Sequence, residues 1–262
     1  MLLSVFHSTH YAYSTEVSRS TQVIRLTPYA GAMQRVVEWT VDLPAPAETL
    51  RDAFDNFTHL LTLDRPHDEI RMVARGKVEV TDVDDGEPAG RVNPKVFLRS
   101  TRLTDPDDAI RAFAEPMRGV VASRPLIGVS DMMNAVLDRM PEKVGVTTAE
   151  TTAAEAFAVG AGVAQDQTHV FIASCRRLGV PARYVSGYAY SADYEHVTSH
   201  AWAEAWLGTR WVSFDVANAR EAGTRHIQLA IGLDYLDACP VRGVRIGGEQ
   251  EVLSTEVRIR RA

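Results

Sequence analysis

The chain has 262 residues, 45% of them hydrophobic and 24% charged, which is enough for a well-buried core and excludes disordered and collagen-like classes. Its 28 basic and 34 acidic residues give a formal charge of -6 with no long block of either sign, which speaks against a nucleic-acid surface. The opening "MLLSVFH" is too short an apolar run for a signal peptide, and no stretch nears the roughly 20 apolar residues of a membrane span, so no membrane partner is expected and the cytoplasm is the expected location.

From Ser4 to about Val80, "LSVFHSTHYAYS", "STQVIRLTP", "RVVEWTVDLP" and "HDEIRMVARGKVEV" are alternating or β-branched runs punctuated by Pro, Gly, Asp and Asn. They predict an antiparallel β domain over residues 1–105, with "DVDDGEPAGRVNP" as a loop before its end. After Asp105, "PDDAIRAFAEPMRGVVA", "IGVSDMMNAVLDRM" and "TTAETTAAEAFAVG" carry apolar residues at helical spacing. The clearest helix is residues 163–178, with Val163, Val170, Phe171, Ser174, Cys175 and Leu178 along one stripe and Gly179 and Pro181 closing it. "ARYVSGYAY", "SHAWAEAWL", "RWVSFDV" and "EVLSTEVRIRR" then alternate as strands, so residues 106–262 form a second unit and the fold class is α+β. Cys175 and Cys239 have neither a disulfide framework nor zinc spacing and read as buried thiols.

"SHAWAEAWLGTRWVSFDV" predicts a hairpin turning at Gly208-Thr209. That register sets Leu207 opposite Arg210, Trp202 opposite Asp215 and His200 opposite Ala217. His200 and Asp215 then share a face as diagonal neighbours with Cβ atoms about 7 Å apart or less, within reach of an imidazole–carboxylate hydrogen bond. A carboxylate that fixes a histidine tautomer is the orienting half of a catalytic triad. The place for a nucleophile is the N-terminus of the 163–178 helix, where backbone N–H groups and the helix dipole lower a thiol pKa and form an oxyanion hole. "GAGVAQDQTH" has Ala164 there.

"GAGVAQDQTHVFIASCRRLGVPARYVSGY", followed by "SHAWAEAWL" and "WVSFDVAN", resembles the bacterial transglutaminase-like family of cysteine proteases. That family shows G-x-GVCQD-x-AH, then LGIPARYVSGY, SHAWVEV and FDPTN. The resemblance extends into "HIQLAIGLDYLDACPVRG" and back into the first domain, through "HSTHYAYS" and "DNFTHLLTLDRPH". It implies a papain/transglutaminase-like core behind an N-terminal antiparallel β domain. It also implies a Cys-His-Asp triad whose His falls on His200, whose Asp falls on Asp215 and whose Cys falls on Ala164. Gln167 and Thr168 depart from the family pattern as well.

No other residue replaces the thiol. Cys175 lies about 16 Å further along the helix axis, and Thr168 is a poor nucleophile without an adjacent base. Gln165 and Asp166 are read as caps or pocket residues, and His169 as a core residue or substrate contact. Trp202, Trp206 and Trp211 share the face of His200 as cleft wall or core. Zinc at His169, His196 and His200 lacks HExxH or CxxC support, so neither metal nor cofactor is expected. Three functions fit: a natural pseudoenzyme that binds peptide or protein amides, an active hydrolase or acyltransferase whose Cys has been changed to Ala, and a purely structural or interaction protein.

Overall fold

The computed structural model describes residues 1–81, 87–192, 196–197, 199–221 and 223–262. The predicted loop at 82–94 therefore falls partly outside the described residues, as does the His196 side chain.

The first sheet is built around one long strand. β1 (Leu2–Ile24) is followed by β2 (Gln34–Asp42), β3 (Glu48–Arg51), β4 (Phe57–Leu63) and β5 (His67–Val80). Alternation of apolar residues buries Leu3, Val5, Val17, Ile24, Leu61, Ile70, Met72 and Val78 on its inner face. The helical region follows as α1 (Asp108–Ala114), α2 (Arg118–Ser123), α3 (Pro125–Arg139), α4 (Ala153–Val159) and α5 (Ala164–Arg177). A second sheet contains β6 (Ala182–Ala189), β8 (Ser199–Trp206), β9 (Trp211–Asp215), β10 (Arg220–Glu221) and β11 (His226–Gly232), ordered β10-β9-β8-β6-β11. The short β7 (His196–Val197) lies between β6 and β8 in the chain and joins the first sheet; α6 (Tyr235–Ala238), β12 (Val241–Gly247) and β13 (Glu251–Arg261) close the chain.

β12 and β13, which the sequence groups with residues 106–262, both pair antiparallel with β1 and belong to the first sheet. No local pattern announces this, because an alternating strand carries no label for the sheet it joins.

The site is positioned by α5 and the second sheet. α5 packs across β8 and β6, burying Val170, Phe171, Ile172, Ala173 and Cys175 against Tyr184, Ala201, Ala203 and Phe214. Its C-terminal end is fixed by Arg176, whose buried guanidinium donates to the carbonyls of Phe97 (2.9 Å), Ala182 (2.8 Å) and Leu233 (2.7 Å) and to Thr104 Oγ1 (2.7 Å). Burial lowers its pKa to about 10, so it remains charged at neutral pH.

The outer edge of β11 is covered by two side-chain amides from the first domain. Gln34 donates to Gln228 O (2.8 Å) and accepts from Gln228 N (2.8 Å). Asn56 donates to Ile231 O (2.7 Å) and accepts from Ile231 N (2.8 Å). Each amide satisfies both the N–H and the C=O of one residue as a neighbouring strand would, so the edge is closed without a further strand. His7 adds a buried contact between the domains, with Nδ1 2.6 Å from Tyr188 Oη and Nε2 2.9 Å from Thr9 Oγ1.

Candidate active-site frame

β8 and β9 form the hairpin that the sequence predicts: Trp206 pairs with Trp211, Ala203 with Phe214, and Leu207 N–H bonds Arg210 O. Continued to its end, this register brings His200 Nε2 to 3.0 Å from Asp215 Oδ1. Asp215 is fully buried, and its other oxygen accepts from His226 Nε2 (2.8 Å) and Asn218 Nδ2 (2.8 Å). The Asn218 backbone N–H also bonds Oδ1 (3.3 Å). Burial alone would raise the Asp215 pKa, but the hydrogen bonds from His200 and His226 outweigh it and hold the carboxyl far below the ordinary range.

His226 comes from β11, on the far side of β6 from β8. It escaped the sequence reading because only the sheet order brings it beside Asp215. Gly223 N–H donates to His226 Nδ1 (3.3 Å), so the proton sits on Nε2 and is given to Asp215. The ligand atoms of His200, Asp215 and His226 lie within 4.8 Å of one another, close enough to consider a metal. With His226 Nδ1 accepting, its Nε2 carries a proton and offers no lone pair to an ion. The donor set fits a hydrogen-bonded carboxylate better than a metal centre.

Ala164 is the first residue of α5 and packs against the cluster that contains Ala201 and Val216, the chain neighbours of His200 and Asp215. Asp166 lies in the first turn; its Oδ2 accepts from Val163 N–H (2.8 Å) and Thr147 Oγ1 (2.7 Å), and it is 1% exposed. It is a buried cap, not an open pocket residue. A Cβ on Gly162 would sit 2.6 Å from Asp166 Oδ2. Gly162→Ala should displace the cap and cost about 1 kcal/mol, read as a lower thermal midpoint; an unchanged midpoint would show that the carboxylate moves aside freely.

The remaining sequence candidates separate by burial. His169 is fully buried, accepts Tyr235 N–H at Nε2 (3.1 Å) and lies with its ring 5.2 Å from Tyr184; desolvation lowers its pKa to about 4. Its contacts are with β6 and the start of α6, which places it in the core. Trp202 is 2% exposed, stacked beneath His200 (6.3 Å, 28°) and edge-on to His226 (5.2 Å). It supports the imidazoles from below. Gln165 Nε2 donates to Ala149 O (3.2 Å), tying the first turn of α5 to the loop ahead of α4. Thr168 and Cys175 are buried, and burial pushes the Cys175 thiol pKa up, so neither presents a reactive group to solvent.

Residues 3–79 match the model of the bacterial transglutaminase-like N-terminal region, and residues 111–216 match that of the transglutaminase-like superfamily. The chain belongs to the transglutaminase-like superfamily. The core match contains Ala164, His200 and Asp215 and stops short of His226. An uncharacterized protein of Mycobacterium leprae is 27% identical over 284 residues, spanning 99% of this chain and 98% of that one. One from Mycobacterium tuberculosis is 29% identical over 289 residues, with 97% and 91% covered. The crystal structure of a candidate cysteine protease from Cytophaga hutchinsonii superposes with a TM-score of 0.80 at 20% identity, over 99% of this chain and 90% of that one. The transglutaminase-like fold thus spans both domains. Among the described residues, no helix is long and apolar enough to cross a membrane.

Proposed function

We propose that this transglutaminase-like chain is a pseudoenzyme that binds peptide or protein amide groups beside Ala164, His200 and Asp215 without turning them over. The observation that carries this reading is Ala164 at the N-terminus of α5, in a frame that retains a buried Asp215 joined to His200 at 3.0 Å. Acyl transfer by this superfamily's chemistry needs a nucleophile at that helix start, and a methyl group cannot form the acyl-enzyme. A second reading, an active Cys-His-Asp enzyme in which the thiol has been replaced, is favoured by the same hydrogen-bonded pair. A fully buried carboxylate held ionised by two imidazoles is a costly feature for a scaffold with no use for it. The two unpaired, buried thiols suit a reducing compartment and support a cytoplasmic location.

The protein should show no amidase, protease or transglutaminase turnover above a His200→Ala control, assayed on glutamine-bearing and ordinary peptide substrates. The same peptides should bind in fluorescence titrations and lose affinity in His200→Ala. Turnover that depends on His200 would mean that another residue serves as nucleophile. Absence of any binding would leave the frame a structural relic.

A further inference from the structure

The last two strands form an unusual edge. Among the described residues, β12 and the first half of β13 pair only with β1; β7 meets β13 further on, at Val257 and Arg258. The free edge from Val241 to Glu256 also carries the largest group of exposed aliphatic side chains near one another in sequence: Val244 is 73% exposed, Ile246 64%, Val252 67% and Leu253 53%. A long edge of this kind, with β-branched residues and no proline, is a template for pairing with another strand.

The two faces of the edge differ. On the inner face Gly243 lies against the Gln22 side chain, the Arg245 guanidinium sits 5.0 Å above the Tyr13 ring, and Val257 and Ile259 are buried. The outer face presents Arg242, Val244 and Ile246 from β12, then Val252, Ser254 and Glu256 from β13. Between them the chain kinks at Gly247, Gly248 and Glu249, all with positive φ, and Gly248 is buried with its N–H bonded to Glu16 O. The kink is therefore held back against β1.

This outer row is complementary to its own reverse. If a second copy pairs antiparallel about Glu249, Arg242 faces Glu256, Val244 faces Ser254 and Ile246 faces Val252, all on one face of the joined sheet. Arg242 has no carboxylate partner among the described residues, while Glu256 holds only an exposed contact with Arg258 at 3.1 Å. A two-fold axis makes each such pair occur twice. From the open edge, the exposed aliphatic row and this charge complementarity, we infer that the β12–β13 edge is a self-association surface through which two copies join their first sheets.

Sedimentation velocity across a hundredfold concentration range tests it. The wild type should populate a dimer, and Val244→Lys and Arg242→Glu should each weaken it at least tenfold while leaving the circular dichroism spectrum and thermal midpoint unchanged, since both side chains are exposed. The paired exchange Arg242→Glu with Glu256→Arg should restore the dimer, an outcome that general surface effects would not produce. A monomer throughout the range would overturn the inference and leave the edge to some other partner or to none. A dimer indifferent to Val244→Lys and Arg242→Glu would overturn it by placing the contact elsewhere. Neither result bears on the His200 cleft.

Discussion

Ala164→Cys should create a thiol that iodoacetamide labels rapidly near pH 6, where an ordinary cysteine with a pKa of about 8.5 is almost wholly protonated. Three features converge on that position. It is the first residue of a fourteen-residue helix, so a thiolate there meets the positive end of the dipole and the N–H groups of the first turn. His200 belongs to β8, on which α5 packs, and its Nε2 is engaged by Asp215 at 3.0 Å, leaving Nδ1 as the ring nitrogen available to a thiol. Asp215 is held ionised, so it stabilises an imidazolium and hence a thiolate–imidazolium pair. Labelling at pH 6 should be at least about tenfold faster than that of an ordinary thiol, and His200→Ala or Asp215→Ala should abolish most of the difference. His226→Gln, which retains a donor to Asp215 Oδ2, should slow labelling less than Asp215→Ala does. Cys175 and Cys239 are buried with raised pKa values and should stay unmodified in the folded protein, which provides an internal control. A thiol at 164 that labels at the ordinary rate and ignores all three substitutions would show that the frame no longer functions as a triad, and the structural reading of the cleft would replace the ligand-binding one.

What the sequence reveals of this frame is what short range encodes. The hairpin register follows from Gly208 at the turn and strict alternation on either side, and it carries His200 to Asp215 without knowledge of any other strand. The α5 start is legible from Gly160, Gly162 and Asp166, and Asp166 indeed bonds Val163 N–H. His226 is not legible in this way: it lies on β11, and only the order β8-β6-β11, together with the return of the chain from β9, places its imidazole on the same carboxylate. The same limit explains β12 and β13, whose alternation predicts strands but not that they return to β1. It also explains Gln34 and Asn56, two ordinary polar residues of the first domain whose amides close the edge of β11. His169 shows the converse. Its place in the second turn of α5 leaves a core and a cleft role both open, and only its contacts with Tyr184 and Tyr235 place it in the core, because its rotamer follows packing and not sequence distance from Ala164.

Acidification from pH 7.5 to 5.0 should lower the folding stability by about 4 kcal/mol, before ordinary carboxylates begin to protonate. Two histidines drive most of this, and His59, whose pKa burial also lowers, acts in the same direction. His7 is 2% exposed between Tyr188 and Thr9, and His169 is fully buried against Tyr184; desolvation lowers each pKa from 6.5 to about 4. A folded-state value below the unfolded one means that the unfolded chain binds more protons between pH 6.5 and 4. The contribution of each neutral ring is therefore complete above about pH 6.5 and declines as pH falls toward 4, by about 2 kcal/mol per histidine at pH 5. Asp215 acts in a different window: its depressed pKa adds stability that is lost only as pH falls below the ordinary carboxylate value near 3.9. Asp166, Asp237 and Glu87 oppose the histidines, since burial raises their pKa values and the folded state gains protons first. Urea unfolding at pH 7.5, 6.5, 5.75 and 5.0 should give a midpoint that falls steadily across the series, with close to two protons taken up per molecule unfolded at the acid end. His169→Gln and His7→Gln should each be less stable at pH 7.5 but lose about half of the pH dependence, because a glutamine has nothing to protonate. A midpoint that stays flat to pH 5 and then drops would assign the acid transition to carboxylates and show that one or both rings reach a partner able to hold a proton within the fold.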